Sequence, residues 1–377
     1  MKIQQRKWTV NDGWELFRND SDISANCLVL AFGAREKIEH CYEDIAQFYP
    51  DSDIIINSTS GEILGSEVLD DSIVVTAIQL EKTDYKIATI NINECVDSFH
   101  AGKQLSEKLN GEKLKHVLVI SDGGLVNGSE LVKGLNQSLA ESVIVTGGLA
   151  GDAARFEKTL VGYNANPDIG NLVAIGFYGD DYYIGYGSFG GWDSFGPKRL
   201  VTKSDANVLY ELDGKSALEL YKRYLGDKAK DLPGSALLFP LSIQLEQDAE
   251  PIVRTILSID EATQSMVFAG DVPEGATVRL MKANFDNLID GAFEAAESGN
   301  KIWKGKHPQL ALLISCVGRK LVLDQRIEEE IDSVHEVIGK LIPTVGFYSY
   351  GEISPFAGYL NCELHNQTMT MTLIGEA

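Results

Sequence analysis

The sequence predicts an α/β protein, with mixed sheets built from repeated β-α-β-loop-β units and packed as two α/β domains. Two observations lead there. Apolar strand-like runs alternate with amphipathic helix-like segments along the chain. One arrangement of these segments also recurs three times.

The first copy begins at LVLAFG (28–33), a buried-strand run ending at Gly33. A segment rich in Glu, Lys and Ile (35–48) reads as a helix, followed by IIINSTSGEI (54–63) and the strand SIVVTAIQL (72–80). The second copy runs VLVISDG (117–123), helix SELVKGLNQSLA (129–140), VIVTGGLAGD (143–152) and strand NLVAIGFY (171–178). The third runs LLISCVG (312–318), helix RIEEEIDSVHEVIGKL (326–341), TVGFYSYGEI (344–353) and strand QTMTMTLI (367–374). Gly33 and Gly61 stand 28 residues apart, as do Gly123 and Gly151, while Gly318 and Gly351 are 33 apart because the third helix is longer. Each second strand ends in a small-residue loop closing on a glycine and an acid: Gly61-Glu62, Gly151-Asp152 and Gly351-Glu352. A crossover helix makes the first two strands of each copy parallel neighbours.

Extra elements separate the copies. After the first come KIATINI (86–92) and a helix over 96–110; after the second come DYYIGYGSFGG (181–191) and a helix over 214–226. Strand-like stretches and a helix over 285–298 then lead to the third copy. The polar stretch LGDKAKDLPG (225–234) is the best boundary, giving domains of 1–226 and 227–377.

At 377 residues, with 44% hydrophobic and 23% charged residues, the chain can build sizeable cores, which argues against wholesale disorder. A formal charge of −22, with no offsetting Lys/Arg cluster, argues against nucleic acid and against anionic membrane surfaces. The opening MKIQQRKWTVNDGWELF lacks the apolar core of a signal peptide, and no apolar run approaches the ~18–20 residues of a membrane helix. Five scattered cysteines without a C-x-x-C point to reduced thiols, so the expectation is a cytoplasmic protein with no structural zinc.

The chemistry-bearing candidates are few. GYGSFG (185–190) matches G-x-G-x-x-G, but the following GWDSFGPKRL contains a proline and starts no helix, so a dinucleotide fingerprint is not indicated. No two of the six histidines stand three or four residues apart, which leaves no local zinc pair. His365, entering the last strand, lies nearest the Gly351-Glu352 loop. Cys316 ends a buried-strand run of the same copy. It supports either inert packing or, paired with His365, a nucleophile. Arg319 is placed to clasp a carboxylate, a ligand's or that of Glu352. Trp192 and Phe195, in the glycine-rich GGWDSFGP (190–197), offer a flat wall for a ligand or a plug between domains. Tyr348 and Tyr350 are what the third copy adds to a loop that is otherwise architectural, since the other two read NSTSGE and TGGLAGD.

Taken together, GGLAGDAARFEKT (147–159), residues 190–226, SCVGR (315–319), GFYSYGEI (346–353) and LHNQTMTMTL (364–373) resemble the FIST family over roughly residues 25–375. The resemblance implies an N-terminal and a C-terminal FIST domain forming a sensory input module that binds a small ligand, with amino acids or their metabolites proposed for the family. It also implies a separate output partner, a histidine kinase or a cyclic-di-GMP enzyme. On this reading Arg319 and Glu352 orient charged groups of the ligand. Trp192, Phe195, Tyr348 and Tyr350 pack its body, with Cys316 beside them, and His365 or Asn366 hydrogen-bonds it. Some stand-alone members sense nitric oxide through haem. The resemblance therefore keeps open a non-covalent haem b with His365 as axial ligand. An enzyme using Cys316 and a scaffold with an empty pocket are the competing classes.

Overall fold

The computed structural model describes residues 1–19, 23, 26–232, 234–244, 251–303, 306–356 and 361–377. It is a mixed α/β protein in which the three sequence copies become three six-stranded sheets around one core. The first unit holds β1 (Lys2–Thr9), β2 (Gly13–Asn19), β3 (Leu28–Ala34), α1 (Arg35–Ile38), α2 (Tyr42–Phe48), β4 (Asp53–Thr59), β5 (Glu62–Leu64), β6 (Glu67–Leu69) and β7 (Ile73–Gln79). The second holds β8 (Asp84–Asn91), α3 (Ser98–Leu109), β9 (Leu114–Ser121), α4 (Gly128–Ser138), β10 (Ile144–Leu149), β11 (Val161–Tyr163) and β12 (Asn171–Tyr178).

After β13 (Tyr182–Phe189) the chain leaves for a side lobe of β14 (Asp193–Asp205), β15 (Val208–Leu212), β16 (Lys215–Ser216), α5 (Ala217–Leu225), β17 (Leu241–Gln244), β18 (Ile252–Arg254), β19 (Ile256–Asp260), β20 (Ser265–Phe268) and β21 (Thr277–Lys282). It returns through α6 (Phe285–Asn300) to the third unit: β22 (Leu310–Cys316), α7 (Val317–Leu323), α8 (Ile327–Ile338), β23 (Thr344–Ser349), β24 (Gly351–Pro355), β25 (Cys362–His365) and β26 (Met369–Glu376).

In every unit the first two strands pair in parallel and the last returns antiparallel, as the crossover helices require: β3 with β4 and β7, β9 with β10 and β12, β22 with β23 and β26. The units are then linked in a ring. Chain leaving the Gly-acid loop of the first unit, β5, pairs with β23 of the third; β24 of the third pairs with β10 of the second; β11 of the second pairs with β4 of the first. Each sheet is therefore completed by its neighbour.

Alternation along the strands sets the layers. Leu28, Leu30 and Phe32, with Leu118 and Ile120 and with Leu310, Leu312 and Ile314, face a shared central core. The intervening residues face outward under helices: Val29 and Ala31 under Ile38 and Ile45, Val117 and Val119 under Leu105 and Leu131, Ala311 and Leu313 under Ala292 and Ile331. Full burial of one such aliphatic side chain stabilises by roughly 1.5–3 kcal/mol, so the three-sided core dominates the balance. His116 holds the core position of Leu28 and Leu310, its ring nitrogens 2.8 Å from Tyr182 Oη and Thr146 Oγ1, and burial pushes its pKa down to about 3. Gly185 and Gly187 of GYGSFG lie in β13 beneath α6, where a Cβ would strike the carbonyl oxygens of Gly299 or Ala295.

The lobe has its own core, with Leu209, Leu218 and Tyr221 packed against Leu241, Ile252 and Phe268. Residues on both sides of the expected 226/227 boundary contribute to it, and Pro233 of the boundary stretch lies outside the described residues. The helix expected over 35–48 is two short helices, α1 and α2.

Candidate functional site

The three Gly-acid loops meet at one end of the prism and close it with each other's backbone. Ser60 N donates to Tyr348 O, Tyr350 N to Leu149 O and Gly151 N to Ser58 O. Their acids are fully buried but differently held. Glu62 accepts from Thr59 Oγ1 and from Ser72 Oγ (2.6 Å). Glu352 accepts from Ser349 Oγ (2.6 Å), Thr368 Oγ1 (2.8 Å) and Thr368 N (3.2 Å). Burial pushes Glu62 up to about 7 and Glu352 to about 8, against the lowering effect of these hydrogen bonds. Asp152 is instead gripped by Arg35 Nη1 (2.9 Å) and Arg155 Nε (2.7 Å).

Where the prism meets the lobe there are two clefts. The first, about 340 Å³, lies between the loop at the end of β9 (Gly123–Asn127), the pair Phe156 and Tyr350, Lys158, and the lobe residues Asn207, Leu257 and Phe268–Gly270. The two rings stack with centroids 4.5 Å apart and planes 18° from parallel. Tyr350 Oη accepts from Phe156 N (3.0 Å) and lies 3.2 Å from Ala153 O, which fixes both rings. The second cleft, about 400 Å³, is more apolar and lies between Phe189, Trp192, Ile252, Val253, Met281, Phe356 and His365. Arg254, 3% exposed, stands in the joint: Nη1 donates to Leu364 O (2.8 Å), and Nη2 lies 3.4 Å from Ser129 Oγ on α4.

The residues singled out in the sequence are thus dispersed. Tyr350 is in the first cleft; Trp192 and His365 are in the second, with Trp192 Nε1 donating to Gln367 O (2.8 Å). Phe195 packs within the lobe, its ring edge-on to Phe239 at 6.4 Å. Arg319 lines neither cleft. It is fully buried, with Nε donating to Glu330 (2.6 Å), Nη2 to Leu288 O (2.7 Å) and Nη1 to Gly190 O. Tyr348 points to the same carboxylate, Oη to Glu330 Oε2 at 3.0 Å, so it is core. Glu352 spends its oxygens on Ser349 and Thr368. Asn366 is buried, and neither of its amide atoms has a partner among the described residues. Cys316 is 2% exposed, and burial followed by the Glu352 charge pushes its thiol up, the reverse of what a thiolate nucleophile needs.

The haem expectation turns on the ring of His365. Its Nε2 lies 2.9 Å from Ser354 O, and a carbonyl can only accept, so that nitrogen carries the proton. Burial pushes the ring's pKa down to about 4, leaving it neutral, and Phe356 lies edge-on at 4.7 Å. That leaves Nδ1 as the lone-pair nitrogen, the usual arrangement of a ligating histidine, and nothing in the described residues supports a haem beside it.

Phe156, Lys158, Asn207 and Arg254 were not legible as site residues. Glu330 left a signal, since a carboxylate on the apolar stripe of Ile327, Ile331 and Val334 demands a buried partner.

Fold and clefts define a three-unit α/β body with a side lobe and a ligand-sized cleft at their junction. The chain belongs to the FIST family: the FIST N domain matches residues 27–215 and the FIST C domain residues 217–355. FIST domains are sensory domains linked to signal transduction. An uncharacterised protein of Methanocaldococcus jannaschii is 22% identical over 385 residues, covering 90% of this chain and 72% of that protein. A cyanuric acid hydrolase from A. caulinodans aligns over 78% of this chain and 99% of its own, at 9% identity and a TM-score of 0.18, too low to argue from. Among the described residues no helix is long and apolar enough to cross a membrane.

Proposed function

We propose that this chain is a non-catalytic sensor that binds a small metabolite in the 340 Å³ cleft and passes the event to a separate signalling protein, a histidine kinase or a cyclic-di-GMP enzyme. The observation that carries this reading is that the cleft is built jointly by prism and lobe, with Tyr350 and Phe156 on one side and Phe268–Gly270 on the other. A ligand bridging two bodies favours one of their arrangements, and such differential affinity is what a signal requires. Pockets of this volume, with an aromatic side and polar groups opposite, commonly take small metabolites.

The test fills the cleft from within. A Cβ at Gly124 has 3.6 Å to Asp122 Oδ1 and 3.8 Å to Thr159 Oγ1, so the backbone takes a side chain there, and Gly124→Phe adds a ring at the cleft wall. A metabolite library is screened by thermal shift on both proteins. Ligands of the native state raise the melting temperature of the wild type and leave Gly124→Phe unmoved. Hits that stabilise both proteins equally, or no hits at saturating concentration, reject the cleft.

A further inference from the structure

The threefold arrangement carries one inference, which rests on the cleft reading above and names the chemistry of its occupant. The junctions between units are pseudo-equivalent. At each, the segment after a unit's first strand faces the Gly-acid loop of the next unit. At two of them that segment supplies a cation. Arg35, three residues past the core residue Phe32, reaches Asp152 (2.9 Å). Lys320, on α7, reaches Ser60 O (3.0 Å) and Asp70 and sits 5.5 Å from the Tyr348 ring centroid. The cation of one unit thus stoppers the loop of its neighbour.

The remaining junction, from the second unit to the third, has no such stopper among the described residues. Three residues past the core residue Ile120 stands Gly123, followed by Gly124 and Leu125, and the space is the 340 Å³ cleft. Gly123 admits nothing larger, because a Cβ there would strike Ala150 O. The receiving side is nevertheless in place. Tyr350 holds the position of Ser60, one residue before the loop glycine, and adds Phe156 as a second ring. Asn366 holds the position of Asp70, two residues before the hydroxyl that donates to the loop acid (Ser72 to Glu62, Thr368 to Glu352). Asp70 receives Lys320; the buried amide of Asn366 has no partner among the described residues but does not line the cleft, so the two rings alone form its receiving side.

An anion finds less at this junction. The positive end of α4 is already answered by Glu130 in its first turn and by Asp271, which accepts from Asn127 and Lys133. Lys158 is bonded to Glu39 (2.7 Å); Arg254, charged and buried behind Gly270 of the cleft wall, spends its donors on Leu364 O, Ser129 Oγ and Asp271 O; and the chain carries a net −22.

We infer that the open junction takes a ligand with a cationic head, an ammonium or guanidinium group, which replaces the missing stopper against Tyr350 and Phe156 while the rest of the ligand fills the cleft. Aromatic faces favour such a group once it is desolvated.

Three probes sharing one ring separate charge from shape: benzylamine, benzyl alcohol and benzoate, titrated by calorimetry on the full chain. Benzylamine is expected to bind about tenfold more tightly than the alcohol, with benzoate weakest. Leu125→Lys, which lines the cleft, supplies the stopper from the chain itself, abolishing the amine preference and raising the melting temperature of the unliganded protein. Equal binding of all three probes, or a preference for benzoate, overturns the cationic head while leaving the cleft reading intact. If none of the three binds, the inference is lost, and the library screen alone decides the fate of the cleft.

Discussion

Glu352, which reads from the sequence as a ligand contact, and its loop counterpart Glu62 are carboxyls that burial raises in pKa. Both are completely buried, and burial holds them at about 8 and about 7 against an unfolded-chain value near 4.5. The folded state therefore binds more protons than the unfolded one between about pH 4.5 and the folded values. Stability is highest below that window and falls as pH rises through it, by about 1.4 kcal/mol per pH unit for each group. Glu352→Gln keeps an acceptor oxygen for Thr368 and turns its NH2 to Ser349, whose hydroxyl then accepts, while removing the titration. It is expected to flatten the decline between about pH 5 and 8 in urea unfolding curves; an unchanged slope would show that Glu352 does not titrate there. Arg319 and Glu330 are the opposite case. Their pair is fully buried and hydrogen-bonded to Tyr348 and Leu288, so Glu330→Ala leaves a guanidinium without its counter-charge. A loss of about 3–5 kcal/mol in urea is expected. A loss below about 1 kcal/mol would mean that water or a rearranged partner takes up the charge. Arg319 is legible in the sequence as a residue needing a carboxylate, yet its partner sits on a helix that the spacing alone does not bring to it.

At the scale of elements, the repeat is legible because a crossover unit imprints its order of strand, helix, strand and Gly-acid loop on the chain. The ring of exchanged strands is not, because β5 beside β23 and β24 beside β10 depend on contacts between units that no local pattern encodes. The same holds for GYGSFG. Its glycines satisfy a motif, but the backbone of α6 lying on β13 is what demands the first two, Gly185 and Gly187. Glycine at Gly346 is a comparable requirement, since it lies in β23 beside β22, where a Cβ would collide with Leu313 O. Gly346→Ala must push the two central strands apart and is expected to cost about 1–3 kcal/mol. Gly124→Ala, with its nearest neighbour at 3.6 Å, should stay within about 0.5 kcal/mol of wild type. The two are compared by chemical denaturation. Similar costs at both sites would mean that backbone entropy, rather than close packing, selects these glycines.

For the whole molecule, the question is how a cleft on one side of the prism could be felt elsewhere. The lobe is a separate core inserted between β13 and α6, and the sequence gives no sign that the chain returns to complete a sheet it had already begun. Its joint with the prism is polar. Arg254 donates to Leu364 O, Asp271 N to Ser129 Oγ (3.2 Å) and Asn127 Nδ2 to Asp271 (3.0 Å), all beside the proposed ligand cleft. Polar joints of this kind permit relative motion more readily than apolar ones. Burial depresses the Arg254 guanidinium to about 10, still charged at neutral pH, so its hydrogen bonds remain charge-assisted. Arg254→Met retains much of the apolar stem and removes those bonds. Amide exchange is expected to accelerate in α4's first turn, β18 and β25, while the central strands β3, β9 and β22 keep their protection, because local opening draws on the joint alone. If a cleft ligand acts by closing lobe onto prism, it should slow the same amides in the wild type and much less in Arg254→Met. Uniform acceleration through all three sheets would instead make Arg254 a keystone of global stability, and the lobe could not then serve as the moving part.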